Sequence, residues 1–290
     1  MVLNAITLGF IFALLGFGIF LSFKVLNFTD LTAEASFTCG AAISVVFASM
    51  GLPFLSLLLA AIGGALAGTI TALLHTKLHI EKVLSGILTL TAFYTINLLI
   101  TNFRPNLSLS RDVRAVFPRD NSYVSLVIAI GFALLVAAAL VLFFRTKVGL
   151  TVRATGDNEN MVQSLGMDTD RYKIIGLALS NAVIAISGAL FMQYERYYDA
   201  SFGTGMMVVG VVTIIIGEVF SSRRHYTAIM LLGITLGSII YRFLYMGVLY
   251  WTNQPQYMKL ISALSIILFI LLSRLRKTKK KEATHALRHS

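Results

Sequence analysis

Three ionisable residues interrupt stretches that are otherwise apolar enough to cross a bilayer. Glu34 stands in LTAEASFTCGAA, Glu218 closes a short apolar run, and Arg242 interrupts YRFLY. A charge at the bilayer centre costs about 2.5–3.5 kcal/mol on insertion scales, so such groups mark ion or solute routes by default. Tyr241 and Tyr245 flank Arg242, and a guanidinium beside aromatic rings suits a solute that carries a carboxylate. Uncharged groups extend the pattern. Tyr94, Asn97 and Thr101 share a face by spacing, and Ser180, Asn181 and Ser187 lie along a later run. The candidate path is therefore Glu34, Phe37, Tyr94, Asn97, Asn181, Tyr241, Arg242 and Tyr245. For the uncharged members the competing reading is interhelical hydrogen bonding, worth only about 0.6 kcal/mol each, and that reading is favoured. Glu218 reads as an edge group near Arg223 and Arg224.

Other chemistry is missing. No G-x-x-x-x-G-K-[ST] occurs, and the dipeptide Gly-Lys is absent, so the chain holds no ATP by a phosphate loop. No H-E-x-x-H exists, and the single Cys39 forms no intrachain disulfide. His75 and His79 stand four apart with Glu81 nearby, a spacing that puts two imidazoles on one helix face. They sit at the edge of an apolar run, where an interfacial His is the default, and no metal is expected. No nucleophile–base pair stands out, so the chain is not expected to be an enzyme or to bind a cofactor.

The elements that position these residues are membrane spans. The 290 residues are 57% hydrophobic and 13% charged, with mean hydropathy +0.81; soluble domains are about 25% charged. Apolar runs fall at residues 3–23, 31–50, 52–74, 83–101, 123–144, 174–194, 206–220, 228–250 and 260–272, nine candidates in an all-α polytopic membrane protein. The run at 206–220 is short, as a half-spanning or broken helix would be. The N-terminus has no positive region, so the first run reads as a retained span. Lys24, Lys77, Lys82, Arg145, Lys147, Arg153, Arg171, Lys173, Arg223, Arg224 and the tail from Arg274 to Arg288 fall on one side. The positive-inside rule makes that side cytoplasmic and places the N-terminus outside and the C-terminus in the cytoplasm. It also accounts for the net charge of +11 without nucleic acid. The loop at 102–122 opposes the rule with Arg104, Arg111, Arg114 and Arg119, partly offset by Asp112 and Asp120. It reads either as a dock for an acidic partner outside or as a short surface helix on the bilayer. Residues 1–273 form one membrane domain, and 274–290 form a basic tail suited to anionic lipid. Ala60, Gly64 and Gly68, and Gly233 and Gly237, repeat every four positions and permit close helix contact.

The loop at 146–173 contains the most organised polar stretch, GLTVRATGDNENMVQSLGMDTDRYK. Asp157 suits an N-cap, residues 158–165 suit two helical turns, and Met161, Val162 and Leu165 form an apolar stripe. Gly166 fits a left-handed stop, and Asp168 or Asp170 suits the cap of the next helix. A short capped amphipathic helix between two spans reads as a docking knob, or else as an ordinary capped loop.

The stretch RATGDNENMVQSLGMDTDRYKIIGLALSNAVIAISGALFMQYERYYD resembles the cytoplasmic loop and following helix of bacterial ABC importer permeases of the branched-chain amino acid and ribose class. That family has R-A-x-G, a short helix, L-G-x-x-x-x-x-x-K and an Ala/Gly-rich span. DLTAEASFTCGAA at Asp30 to Ala42 is similar to its second-span signature S-F-x-x-G-A. The fuller DLTxExSF, with HTKL and GILTLTAFYTINL, resembles the subgroup associated with tryptophan and tyrosine import. The resemblance covers most of 30–237. It implies a vitamin-B12-permease-like (type II importer) fold without that fold's first helix. It implies a coupling helix at Asp157, Asn158, Glu159, Met161, Val162, Leu165 and Gly166, seated in a separate cytoplasmic ABC ATPase dimer that binds ATP and Mg. It further implies a second permease copy, an external solute-binding protein, and residence in the bacterial plasma membrane. The solute would be a small molecule such as an aromatic amino acid. Gly217-Glu218-Val219 replaces the Gly-Gly turn common in the branched-chain permeases, which leaves the shape of the seventh segment open. The rival reading is a secondary transporter driven by an ion gradient through Glu34 and Arg242.

Overall fold

The computed structural model describes residues 2–110, 112–118, 121–220 and 227–252. Helix α1 (Val2–Ile19) widens into a π-helical turn at Phe20–Val25. Then follow α2 (Thr32–Ser49), α3 (Pro53–Thr76), α4 (Lys82–Ile100), β1 (Asn106–Ser108), α5 (Ser122–Arg145), α6 (Lys147–Asp157), α7 (Glu159–Ser164), α8 (Thr169–Glu195), β2 (Tyr197–Asp199), α9 (Met206–Phe220) and α10 (Thr227–Thr252). Among the described residues, seven helices are long and apolar enough to cross a membrane: Val2–Val25, Thr32–Ser49, Pro53–Thr76, Lys82–Ile100, Ser122–Arg145, Thr169–Glu195 and Thr227–Gly247. The seventh apolar run becomes a shorter helix, and Gly217-Glu218-Val219 continues it without a turn. The ninth run, the basic tail, Arg223 and Arg224 lie outside the described residues.

The helix ends follow local chemistry. Pro53 opens α3, where its missing N–H costs nothing. Asn121 caps α5 by accepting from the amides of Tyr123 and Val124, and Thr146 caps α6 through Gly149. Asp168 caps α8 by accepting from Asp170 N at 3.1 Å.

Small residues decide how closely the helices pack. A Cβ on Gly64 or Gly68 of α3 would strike the carbonyl oxygens of Asn181 or Leu177, and one on Gly40 of α2 would strike that of Ala185. So α2 and α3 sit on α8 backbone to backbone. Gly217 and Gly237 bring α9 and α10 together in the same way. Ser180 and Ser187 of α8 donate to the carbonyls of Gly18 and Ile11 at 2.8 and 2.7 Å. These two serines serve helix packing, as favoured from sequence. Large side chains such as Leu58 and Leu66 of α3 and Val127, Leu135 and Leu142 of α5 remain exposed, an apolar surface suited to lipid.

The two ends of the bundle differ. At one end β1 and β2 pair antiparallel, with Leu107 opposite Tyr198. Gln193 pins the adjoining loop there, accepting from Val116 N at 2.8 Å and donating to Ser44, Ser56 and the Pro53 carbonyl. The other end carries α6, α7 and the lysines: Lys24 pairs with Glu218 at 2.5 Å and Lys77 with Asp170 at 3.8 Å.

Candidate functional site

The polar stretch at 147–173 is two helices, not one. The sequence reading missed α6, whose buried Val152 and Thr155 face the bundle while Val148 and Leu150 stay exposed. A Cβ on Gly156 would strike the Val25 carbonyl, so α6 presses on the end of the first span. The N-cap expectation needs correction: Asp157 ends α6, and Asn158 caps α7, its Oδ1 accepting from Met161 N at 3.0 Å. Two capping residues stand side by side, and the one with extended backbone, φ −156°, takes the role. Gly166 has φ +77°, the left-handed conformation its residue type implied.

The apolar stripe divides. Val162 is 0% exposed, whereas Met161 and Leu165 are 49% and 65% exposed. Val162 holds α7 to the protein, and the other two form a free apolar face. Glu159 does not reach outward. Its Oε1 lies 2.5 Å from Lys173 Nζ and accepts from Thr169 Oγ1 at 3.2 Å, and Gln163 donates to Thr169 at 3.1 Å. Burial alone would raise the Glu159 carboxyl, but the Lys173 ammonium and the Thr169 hydroxyl outweigh it and hold it below its ordinary value. Glu159 and Lys173 border a cavity of about 230 Å³ shared with Asn27, Lys82 and Gly156.

The intramembrane candidates separate into three places. Glu34 lies in the first turn of α2, and its carboxylate accepts from Gly205 N at 2.9 Å. Thr38 Oγ1 accepts from Gly203 N at 2.9 Å. These contacts draw residues 200–205 against α2, so α9 starts beside the second span and needs only 15 residues. A carboxylate at a helix N-terminus is favoured by the helix dipole. Phe37 is fully buried between Phe12 and Phe191, with ring centroids 6.0 and 5.7 Å away.

Asn181 belongs to a second cluster around Asp30, which the sequence reading quoted in a motif and left out of the site. Asp30 is 1% exposed; its Oδ2 accepts from Asn181 Nδ2 at 2.6 Å and its Oδ1 from Thr32 N at 2.9 Å. Asn181 Oδ1 accepts from Ser36 at 2.7 Å. Thr32, Thr71 and Thr89 continue the chain of hydroxyls across α2, α3 and α4, at 2.6 and 2.9 Å. Asn97 is 2% exposed and donates to the Ala35 carbonyl, while Tyr94, one turn earlier on α4, is 55% exposed.

Arg242 forms the third place. It is 7% exposed, with its guanidinium carbon 4.0 Å from the Phe12 ring centroid and 4.8 Å from that of Tyr245. Its Nε makes no hydrogen bond. Tyr241 packs against Val212 and Ile216 of α9. The Phe12 contact comes from the opposite end of the chain and left no local signal.

The histidine pair resolves simply. His75 Nδ1 sits 2.8 Å from the Ile80 carbonyl, and no group of three potential ligands occurs among the described residues. Glu218 is an edge group, and its partner among the described residues is Lys24.

Comparison with known proteins adds to this geometry. Residues 1–271 match the family described as the permease component of branched-chain amino acid transport systems. A tyrosine transport system permease protein of Clostridioides difficile is 34% identical over 285 residues, 97% of this chain and 94% of that protein. An uncharacterised protein of Rickettsia prowazekii is 30% identical over 265 residues, 90% and 92% of the two chains. Among solved structures, PsaBC from Streptococcus pneumoniae in complex with Fab superposes with TM-score 0.57 at 17% identity, covering 94% of this chain and 88% of that one. At that identity the likeness speaks for the fold alone.

Proposed function

The chain belongs to the permease family of branched-chain amino acid transport systems, and from that premise we propose that it is the membrane subunit of an ATP-driven importer for an aromatic amino acid. The observation that carries the reading is α7. It is a six-residue helix capped by Asn158, stopped by Gly166 and anchored by Val162, with Met161 and Leu165 left open to a partner. A helix this short has little stability of its own, so its order comes from the packing of Val162, and its open apolar face suits docking. In this reading its partner is a cytoplasmic ABC ATPase dimer, which supplies ATP and Mg chemistry that this chain does not. A second permease copy completes the route, and a solute-binding protein docks at the β1–β2 end.

The lysine-rich end is then cytoplasmic, and the chain sits in a bacterial plasma membrane. The solute class rests on the relative named for tyrosine transport and on Arg242. A guanidinium against Phe12 and Tyr245 suits a carboxylate joined to a ring. The test is reconstitution of permease, ATPase and binding protein in liposomes, with labelled tyrosine offered outside and ATP inside. Tyrosine accumulation that requires ATP supports the reading. Failure of the permease to retain an ATPase, or ATP-independent uptake, overturns it.

A further inference from the structure

The stripe on α8 that begins at Lys173 has a spacing of four. Lys173, Leu177, Asn181 and Ala185 follow one another along one face. Each makes a close contact. Lys173 Nζ holds Glu159 of α7. The Leu177 carbonyl lies against Gly68 and the Asn181 carbonyl against Gly64, both of α3. Asn181 also holds Asp30 and Ser36, and the Ala185 carbonyl meets Gly40 of α2. The stripe therefore runs from α7 to the level where α2 begins, with no gap along it.

The joint at the foot of this line is the link between α7 and α8, where Glu159 meets Lys173 in the first two turns of α8. The segment joining them passes through Gly166, a residue free to rotate. The backbone alone would let α7 swing. Two ion pairs nearby are well exposed: Arg171 with Asp168, at 80% and 47%, and Lys77 with Asp170, at 63% and 34%. In the third pair the Glu159 side chain is 36% exposed, and only the Lys173 side chain, at 11%, is sheltered. Exposed pairs contribute little, whereas a sheltered ammonium that loses its carboxylate is left unpaired at much greater cost. Three groups from both helices, Lys173, Thr169 and Gln163, meet on or beside one carboxylate.

We infer that the Glu159–Lys173 pair is a strap that makes α7 and α8 one lever, so that movement of α7 reaches the Asp30–Asn181 junction. Glu159 and Lys173 are positioning residues: they touch no solute and transmit motion through α8. This inference rests on the importer reading above.

The experiment uses the full complex of permease and ATPase in liposomes, with purified binding protein as the probe. The signal is stimulation of ATP hydrolysis by that protein from the opposite side of the membrane, which needs no knowledge of the solute. Lys173→Met should lower stimulation about tenfold while basal hydrolysis and ATPase co-purification stay at parental values, and Glu159→Gln should lower stimulation to a similar extent. The exchanged pair Glu159→Lys with Lys173→Glu should recover at least half of the stimulation. A purely structural role predicts the opposite pattern, with lost assembly and no separation of stimulation from basal rate. Unchanged stimulation in both single variants overturns the strap. So does loss of the ATPase from either, and so does an assembled exchange variant that recovers nothing. If the parental permease itself retains no ATPase, the importer reading falls, and that outcome is distinct from all three.

Discussion

Replacing Val162 and replacing its neighbours should have different consequences, although all three residues belong to one apolar stripe. Val162 is 0% exposed, and its burial contributes about 1.5–3 kcal/mol. An Asp there adds the desolvation of a carboxylate with no partner. Since a six-residue helix has no stability of its own, Val162→Asp should detach α7 from the permease. Met161 and Leu165 are 49% and 65% exposed, so Met161→Asp with Leu165→Asp should leave the isolated permease as stable as its parent. If the ATPase buries the half to two-thirds of these side chains still exposed, each contributes about 1–2 kcal/mol to docking. Their loss then weakens binding by about 10–300-fold at about 1.4 kcal/mol per factor of ten. The assay is interferometry of detergent-solubilised permease against the ATPase, with thermal unfolding of the permease alone as control. The expected result is a lower melting temperature for Val162→Asp only, and weaker binding for both variants. Parental binding by the Met161/Leu165 double variant would refute the assignment of α7 as the docking helix.

Other expectations follow from single contacts. Gly166→Val places a β-branched residue at φ +77°, at a cost of about 1–2 kcal/mol with no steric clash around it; ATPase retention should persist while stimulated hydrolysis falls. Gly64→Val and Gly68→Val should each sharply lower yield and melting temperature, because the new Cβ meets an α8 carbonyl oxygen that has nowhere to move. Arg242→Leu should abolish tyrosine uptake with ATPase assembly intact, and normal uptake would remove Arg242 from the route. The Glu159 carboxyl is held below its ordinary value, so the stabilisation it gives is complete above that value and lost as pH falls through the lower, folded one. A nitroxide at Asn160 should accordingly keep its restricted spectrum from pH 7 to the ordinary carboxylate range and gain mobility only below it. Early mobilisation would contradict the strap geometry. Single cysteines at Ser108 and Asn160, with Cys39→Ala, should label from opposite sides of the membrane.

The spans were legible because a bilayer imposes a length and a composition that survive any packing detail. The short seventh run was legible for the same reason, but its cause was not. It takes Glu34 and Thr38, over 160 residues away, to receive the amides of Gly205 and Gly203. Capping was half legible: Gly166 is set by a backbone need only glycine meets cheaply, whereas Asp157 and Asn158 are equivalent on composition, and only backbone geometry chooses between them. The amphipathic α6 is hard to see in the sequence because its polar face has the composition of a loop. The exposed side of α7 was not legible, since a stripe says which residues are apolar and not which of them the protein has already buried. Asp30 and Lys173 were visible in quoted motifs, yet their importance lies in partners on other helices, and one-dimensional spacing does not name those.

The claim that everything else depends on is that ATP hydrolysis on a partner, and no ion gradient, drives solute through this chain. The direct measurement is labelled tyrosine uptake into liposomes containing the purified permease, with or without its ATPase and binding protein, and with proton or sodium gradients imposed in turn. The account predicts uptake only when permease, ATPase, binding protein and internal ATP are all present, unaffected by ionophores. Uptake by the permease alone, driven by a proton or sodium gradient and lost in Glu34→Gln, would contradict it.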